Sequence, residues 1–281
     1  MKVGIVSRAF DRFGEARYEK MKELGFSAVD FSMANTKDSL YLCSDEDFCR
    51  QLRLEKKHAH KYGIEFTQIH GPWRVPIKDF TEEDRAERME KMKKAVRAAA
   101  ILGAGAMVIH PIMPFGIFDV EKQKTKETWV LNLTFMRELA AYGAEHGVTV
   151  CLENMPFATF SISKPEQILQ MIDAVENEYF KMCLDMGHVN VFPELSLVDE
   201  LKRCQGVIRA LHVHDNNGKS DNHALPYFGT VDWETVGETL ANMDLPCPFS
   251  YETAPPARLP LPIYETYLKS MVDIAREITK A

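Results

Sequence analysis

Eight short β-type runs alternate with eight long amphipathic runs along this chain, and no long polar linker interrupts them. Residues 2–7, 28–33, 65–70, 106–110, 149–153, 180–185, 207–214 and 249–252 read as strands. Residues 15–24, 45–62, 120–146, 164–174, 194–204, 233–242 and 262–280 read as helices, with another running from a Thr81 cap to Gly103. Gly25, Gly63, Gly103 and Gly147 supply stop signals, and Pro165 falls in the first turn of its helix. Strict alternation implies parallel strands joined by crossover helices, and eight such units imply a sheet closed on itself. The expectation is therefore an α/β fold, a single (β/α)8 TIM barrel covering residues 1–281 as one domain. An open doubly wound sheet is the alternative, but no GxGxxG follows the first strand.

Composition narrows the function classes. With 46% hydrophobic and 27% charged residues, the chain can bury a sizeable core. A net charge of −7 gives no global attraction to a phosphate backbone, which weighs against nucleic acid as a partner. No apolar run approaches the roughly 18 residues that a membrane span needs. The opening MKVGIVSRAF has too short an apolar stretch for a signal peptide and reads as the first strand. Six scattered cysteines without a CxxC pair point to reduced core thiols in a cytoplasmic protein.

The chemistry concentrates where strands end. Residues 207–223, VIRALHVHDNNGKSDNH, deliver His212, His214, Asp215, Asp221 and His223 in close succession. Alternate residues of a strand share a face, so His212 and His214 point the same way as Ala210 and Ile208. The pattern recurs with His70 in TQIHGPW, His110 in MVIHPI, Glu153 in VCLENM, Asp185 and His188 in CLDMGH, and Glu252 in SYET. In a barrel these positions converge on one rim, where barrel enzymes build their sites. His58 and His60 lie in a highly charged helix, and His146 suits a helix C-terminus. Any one of the remaining six could be a satisfied core histidine. Six of them sharing a rim with several carboxylates call for a cation to offset the buried charge. So many imidazoles favour zinc, manganese or cobalt over magnesium.

The ordered endings IHGP, IHP, LEN, LDMGH, LHVHDN, the DNH of the following loop, and YET resemble the xylose-isomerase-like TIM-barrel superfamily. That group includes ketose 3-epimerases, inosose dehydratases, hydroxypyruvate isomerases and apurinic/apyrimidinic endonucleases of the endonuclease IV type. The match covers essentially the whole chain. By resemblance to the epimerases, Glu153, Asp185, His212 and Glu252 would hold one metal and His188 would contact substrate. By resemblance to the endonucleases, His70, His110, His188, Asp221 and His223 would add ligands for further zinc ions. The loop FSMANTKDSLYLCSDED is acidic where a DNA-inserting loop is expected to be basic.

These features lead to a divalent-metal-dependent isomerase or epimerase of a small sugar, sugar phosphate or polyol, working through an enediolate with Glu153 and Glu252 as the acid–base pair. The alternatives are a multi-zinc phosphoesterase of the abasic-site endonuclease type and a sugar-binding barrel without turnover. Trp73, Asn154 and His214 join His188 as candidate substrate contacts, and Arg74 beside Trp73 is a candidate for stacking. A homo-oligomer is compatible with this reading.

Overall fold

The computed structural model describes residues 1–73 and 76–280. Its strands, in chain order, are β1 (Val3–Val6), β2 (Ala28–Ser32), β3 (Glu65–His70), β4 (Ala106–Ile109), β5 (Pro114–Ile117), β6 (Thr149–Glu153), β7 (Phe180–Asp185), β8 (Ile208–His212) and β9 (Phe249–Tyr251). All but β5 lie in one parallel sheet, ordered β8-β7-β6-β4-β3-β2-β1-β9. A parallel bridge between Val213 and Tyr251 joins its two edges. The Val213 N–H donates to the Ser250 carbonyl at 2.9 Å, and the Glu252 N–H donates to the Val213 carbonyl at 3.1 Å. The result is the single (β/α)8 barrel that the alternation implied.

Side-chain parity explains what fills it. Ala106, Val108, Cys151, Cys183 and Ala210 form a cluster separate from the main core. Val108, Cys151, Cys183 and Ala210 each lie two residues before His110, Glu153, Asp185 or His212. Since strand side chains repeat every second residue, the small apolar layer is the floor on which the polar layer stands. The larger core packs the outer faces of the strands against the helices, with Phe10, Phe48, Phe180, Phe249 and Trp233 fully buried.

Helix boundaries follow the local chemistry. Thr81 and Asp84 form a reciprocal cap that starts Glu82–Leu102, and Gly103 ends it at φ 83°. Ser196 caps Leu197–Cys204, so that helix starts three residues later than its periodicity suggested. The first helix is also shorter than expected. Ser7–Ala16 is a 3-10 segment interrupted at Gly14, whose φ of 53° no ordinary helix accommodates, and the α-helix occupies Arg17–Leu24. All six cysteines are unpaired, four of them buried. No helix among the described residues is long and apolar enough to cross a membrane.

Candidate metal centre

The ends of β3, β4, β6, β7, β8 and β9 bring their polar side chains to one rim, as a parallel barrel requires. Glu153, Asp185, His212 and Glu252 place one donor atom each within 4.8 Å of the others. The His212 Nδ1 lies 2.9 Å from Glu153 Oε1 and 3.3 Å from Glu252 Oε2. A second group comprises His188, His214, Asp221 and His223. There the Nε2 atoms of His188 and His223 each stand 3.2 Å from Asp221 Oδ2, and His214 Nε2 is 3.5 Å from Asp221 Oδ1. A third draws His70 towards Glu153 and His212. His110 Nε2 adds itself to this corner, 2.9 Å from Glu153 Oε2 and 3.2 Å from His70 Nε2.

Glu153 Oε2 and Asp221 Oδ1 are buried carboxylate oxygens that face only imidazole nitrogens, at 2.9 Å from His110 and 3.5 Å from His214, with no well-directed hydrogen bond among the described residues. Imidazole nitrogens and carboxylate oxygens crowded together in this way fit a divalent cation. The charges show the same tension. Burial presses the His188 imidazole towards neutrality, yet Asp185 and Asp221 outweigh it and push its pKa up to about 10. His223 rises to about 9, because Asp221 and Glu252 overcome its burial. His110 goes the other way, to about 4, since burial dominates. Burial raises Glu252 as well, and the Glu153 and Asp185 carboxylates add to the effect against His212 and His223.

A cavity of about 240 Å³ opens onto these groups, lined by His70, Trp73, His110, Glu153, His188, Asp221, His223 and Glu252 among others. The Trp73 ring stands against His110 at 4.5 Å between centroids, as a wall of that cavity. Arg74 lies outside the described residues. Asn154 and His214, expected as substrate contacts, stand behind the residues that line the cavity. Asn154 is fully buried and its amide is clipped to the Asp185 backbone, accepting from N–H at 2.8 Å and donating to C=O at 3.0 Å. His214 is fully buried with Nε2 3.1 Å from Asp185 Oδ1, inside the donor layer. It also packs so tightly on Gly187 that a Cβ there would come within 2.0 Å of its ring.

Asp215, which looked like a donor in sequence, is occupied elsewhere. Its carboxylate accepts from the N–H groups of Asn216, Gly229, Thr230 and Val231 and from Trp233 Nε1. Sequence reasoning missed Asp30, a buried carboxylate 3.0 Å from His212 Nε2. Its signal was an acid in the otherwise apolar run AVDF.

A closed parallel barrel with its donors at the C-terminal strand ends is the architecture on which barrel enzymes assemble their sites. The chain belongs to the xylose isomerase-like TIM barrel family, which it matches over residues 18–271. D-psicose 3-epimerase of Clostridium cellulolyticum H10 superimposes with a TM-score of 0.79 at 18% identity, covering 99% of each chain. The 3-keto-D-glucoside 4-epimerase YcjR of E. coli gives 0.74 at 19%, covering 97% of this chain and 99% of its own. A Metamycoplasma arthritidis protein named "Probable endonuclease 4" is 22% identical over 79% of this chain and 87% of its own. At these identities the structural likeness establishes the fold.

The donor inventory makes a prediction about stoichiometry. Because the Glu153 and Asp221 groups use largely different side chains, more than one zinc per chain is expected by native mass spectrometry. The neighbouring carboxylates favour the protonated forms of His188 and His223, which must shed those protons to ligate, so uptake at Asp221 should strengthen from pH 7 towards 9 and weaken on acidification. A single zinc at saturation, with His188, Asp221 and His223 turned away from it, contradicts this.

Proposed function

We propose that the protein is a divalent-metal-dependent isomerase or epimerase of a small sugar, sugar phosphate or polyol. The observation that carries this is the Glu153–Asp185–His212–Glu252 donor set beside a cavity of monosaccharide scale, into which both Glu153 and Glu252 open. Their strands, β6 and β9, stand three steps apart around the ring, so the two carboxylates approach a bound carbon from different sides. A divalent cation in this set would chelate adjacent carbonyl and hydroxyl oxygens and acidify the intervening C–H. Glu252 takes the proton from one face and passes it to solvent, while Glu153, carrying a proton delivered from water in the cavity, returns one on the other. His188 faces the cavity beside them and orients a hydroxyl, while Trp73 excludes water from one wall.

Phosphoester hydrolysis at an abasic site is the second reading, favoured by the Asp221 group and by the endonuclease-named relative. The chain's charge of −7 and the compact cavity argue against it. The experiment pairs the two. Metal-loaded protein is incubated with free and phosphorylated ketoses in deuterated water, and with abasic duplex DNA. Deuterium at the carbon beside the carbonyl, without incision, is expected. Incision, or submicromolar salt-sensitive binding of the abasic duplex, would reverse the order of the two readings.

A further inference from the structure

The six rim histidines are not oriented alike. His70, His188, His214 and His223 turn Nδ1 to the backbone carbonyls of Gly71, Asn154, Asp215 and Glu252, at 2.9, 2.7, 3.3 and 2.9 Å. A carbonyl oxygen only accepts, so in these four Nδ1 carries a proton and Nε2 is the nitrogen that faces the centre, a ligand once it is deprotonated. His110 Nδ1 has no hydrogen-bond partner among the described residues. His212 is reversed. Its Nε2 points away from the centre to Asp30 Oδ2 at 3.0 Å, and its Nδ1 faces Glu153 and Glu252.

Asp30 is 1% exposed and sits on β2, where the pairing with β3 shifts register between Val29 and Asp30. The shift sets Asp30 opposite Gln68, whose Nε2 donates to the same Oδ2 at 2.9 Å. A buried carboxylate this far below the rim is costly to maintain for packing alone. A carboxylate partner fixes an imidazole's tautomer and raises the basicity of its other nitrogen more than a neutral carbonyl does. We infer that Asp30 is a positioning residue that makes His212 the strongest imidazole donor of the rim, so that the Glu153–Asp185–His212–Glu252 set fills with a cation before the Asp221 set does. This rests on the metal reading of the site and on no particular reaction.

The test is a zinc titration against a competing chelator, comparing wild type with Asp30→Asn. The amide oxygen can still accept from His212 Nε2–H and from Gln68 Nε2–H, the two contacts that Asp30 Oδ2 makes. Shape and these two hydrogen bonds are therefore kept while the charge is lost. The tighter class of sites is expected to weaken by about 10–100-fold, the scale for losing an outer partner of a ligand, with the weaker class unmoved. An unmoved tighter class, or an equal loss in both, overturns the inference. A second measurement does not depend on the variant folding. Long-range 1H–15N spectra of zinc-loaded wild type should place the His212 proton on Nε2. A proton on Nδ1 overturns the role of Asp30 alone, whereas wild type that takes up no zinc overturns the metal reading together with it.

Discussion

Glu252→Gln is expected to keep bound metal and substrate yet lose proton exchange at the reacting carbon by at least about a hundredfold, the usual scale of general-base loss. Gln retains an oxygen that can face the cation and the same outline in the cavity wall, so binding survives. What disappears is the basic lone pair. Burial already raises the affinity of this carboxylate for a proton, and the Glu153 and Asp185 charges reinforce it. It is also the partly exposed member of the set, with 14% of its side chain accessible against none for Glu153. Of the two, Glu252 is the more accessible to a substrate proton. Deuterium incorporation followed by NMR reads the effect directly. Exchange at the wild-type rate in the variant would leave Glu252 as a ligand only.

Asp185→Ala and His212→Ala should each strip the four-donor set of its cation. Both residues are fully buried and both place a donor atom within 4.8 Å of the remaining three. Removing a direct ligand should exceed the roughly 10–100-fold loss of affinity seen when an outer partner is removed. The two variants differ in side effects. The Asp185 carboxylate also caps Met186–Asn190 by accepting from the His188 N–H at 2.7 Å, so its loss loosens the turn that carries His188. The His212 side chain also pairs with the buried Asp30 carboxylate, so His212→Ala uncovers a buried charge, and the two variants check each other because their side effects differ. Full occupancy of this set in both variants, measured by mass spectrometry after dialysis, would rule out the assignment.

Much of this arrangement could be read from residue order, because a parallel barrel turns sequence position into spatial position. The spans of β3, β6 and β7 coincide with the apolar runs that announced them. His110 and Glu252 fall just past the last paired residues of their strands, where parity put them. Three things were not legible, each for a physical reason. Asp30 lies inside a strand, where a register shift between Val29 and Asp30 sets it opposite Gln68, and no sequence pattern announces that pairing. Asp215 is indistinguishable in sequence from a ligand, but the loop that folds back over it brings four backbone N–H groups and the Trp233 indole to its oxygens. Asn154 follows Glu153 and so alternates away from the cavity, onto the backbone of Asp185. The departures β5, Ser39–Leu42 and Met186–Asn190 are loop excursions too short for periodicity to reveal.

The seam at Val213 has a consequence for how the molecule holds together. The residue that stitches β8 to β9 lies between two imidazoles of the donor layer, and its carbonyl accepts from the Glu252 N–H. Any breathing of that joint pulls His212, His214 and Glu252 apart, and any ion gripping those side chains clamps the joint shut. Saturation a thousandfold above the dissociation constant would add about 4 kcal/mol to the native state. Heat tolerance and chemical competence are thereby tied to one stitch, so substitutions that tune the reaction here cannot leave the endurance of the cylinder untouched.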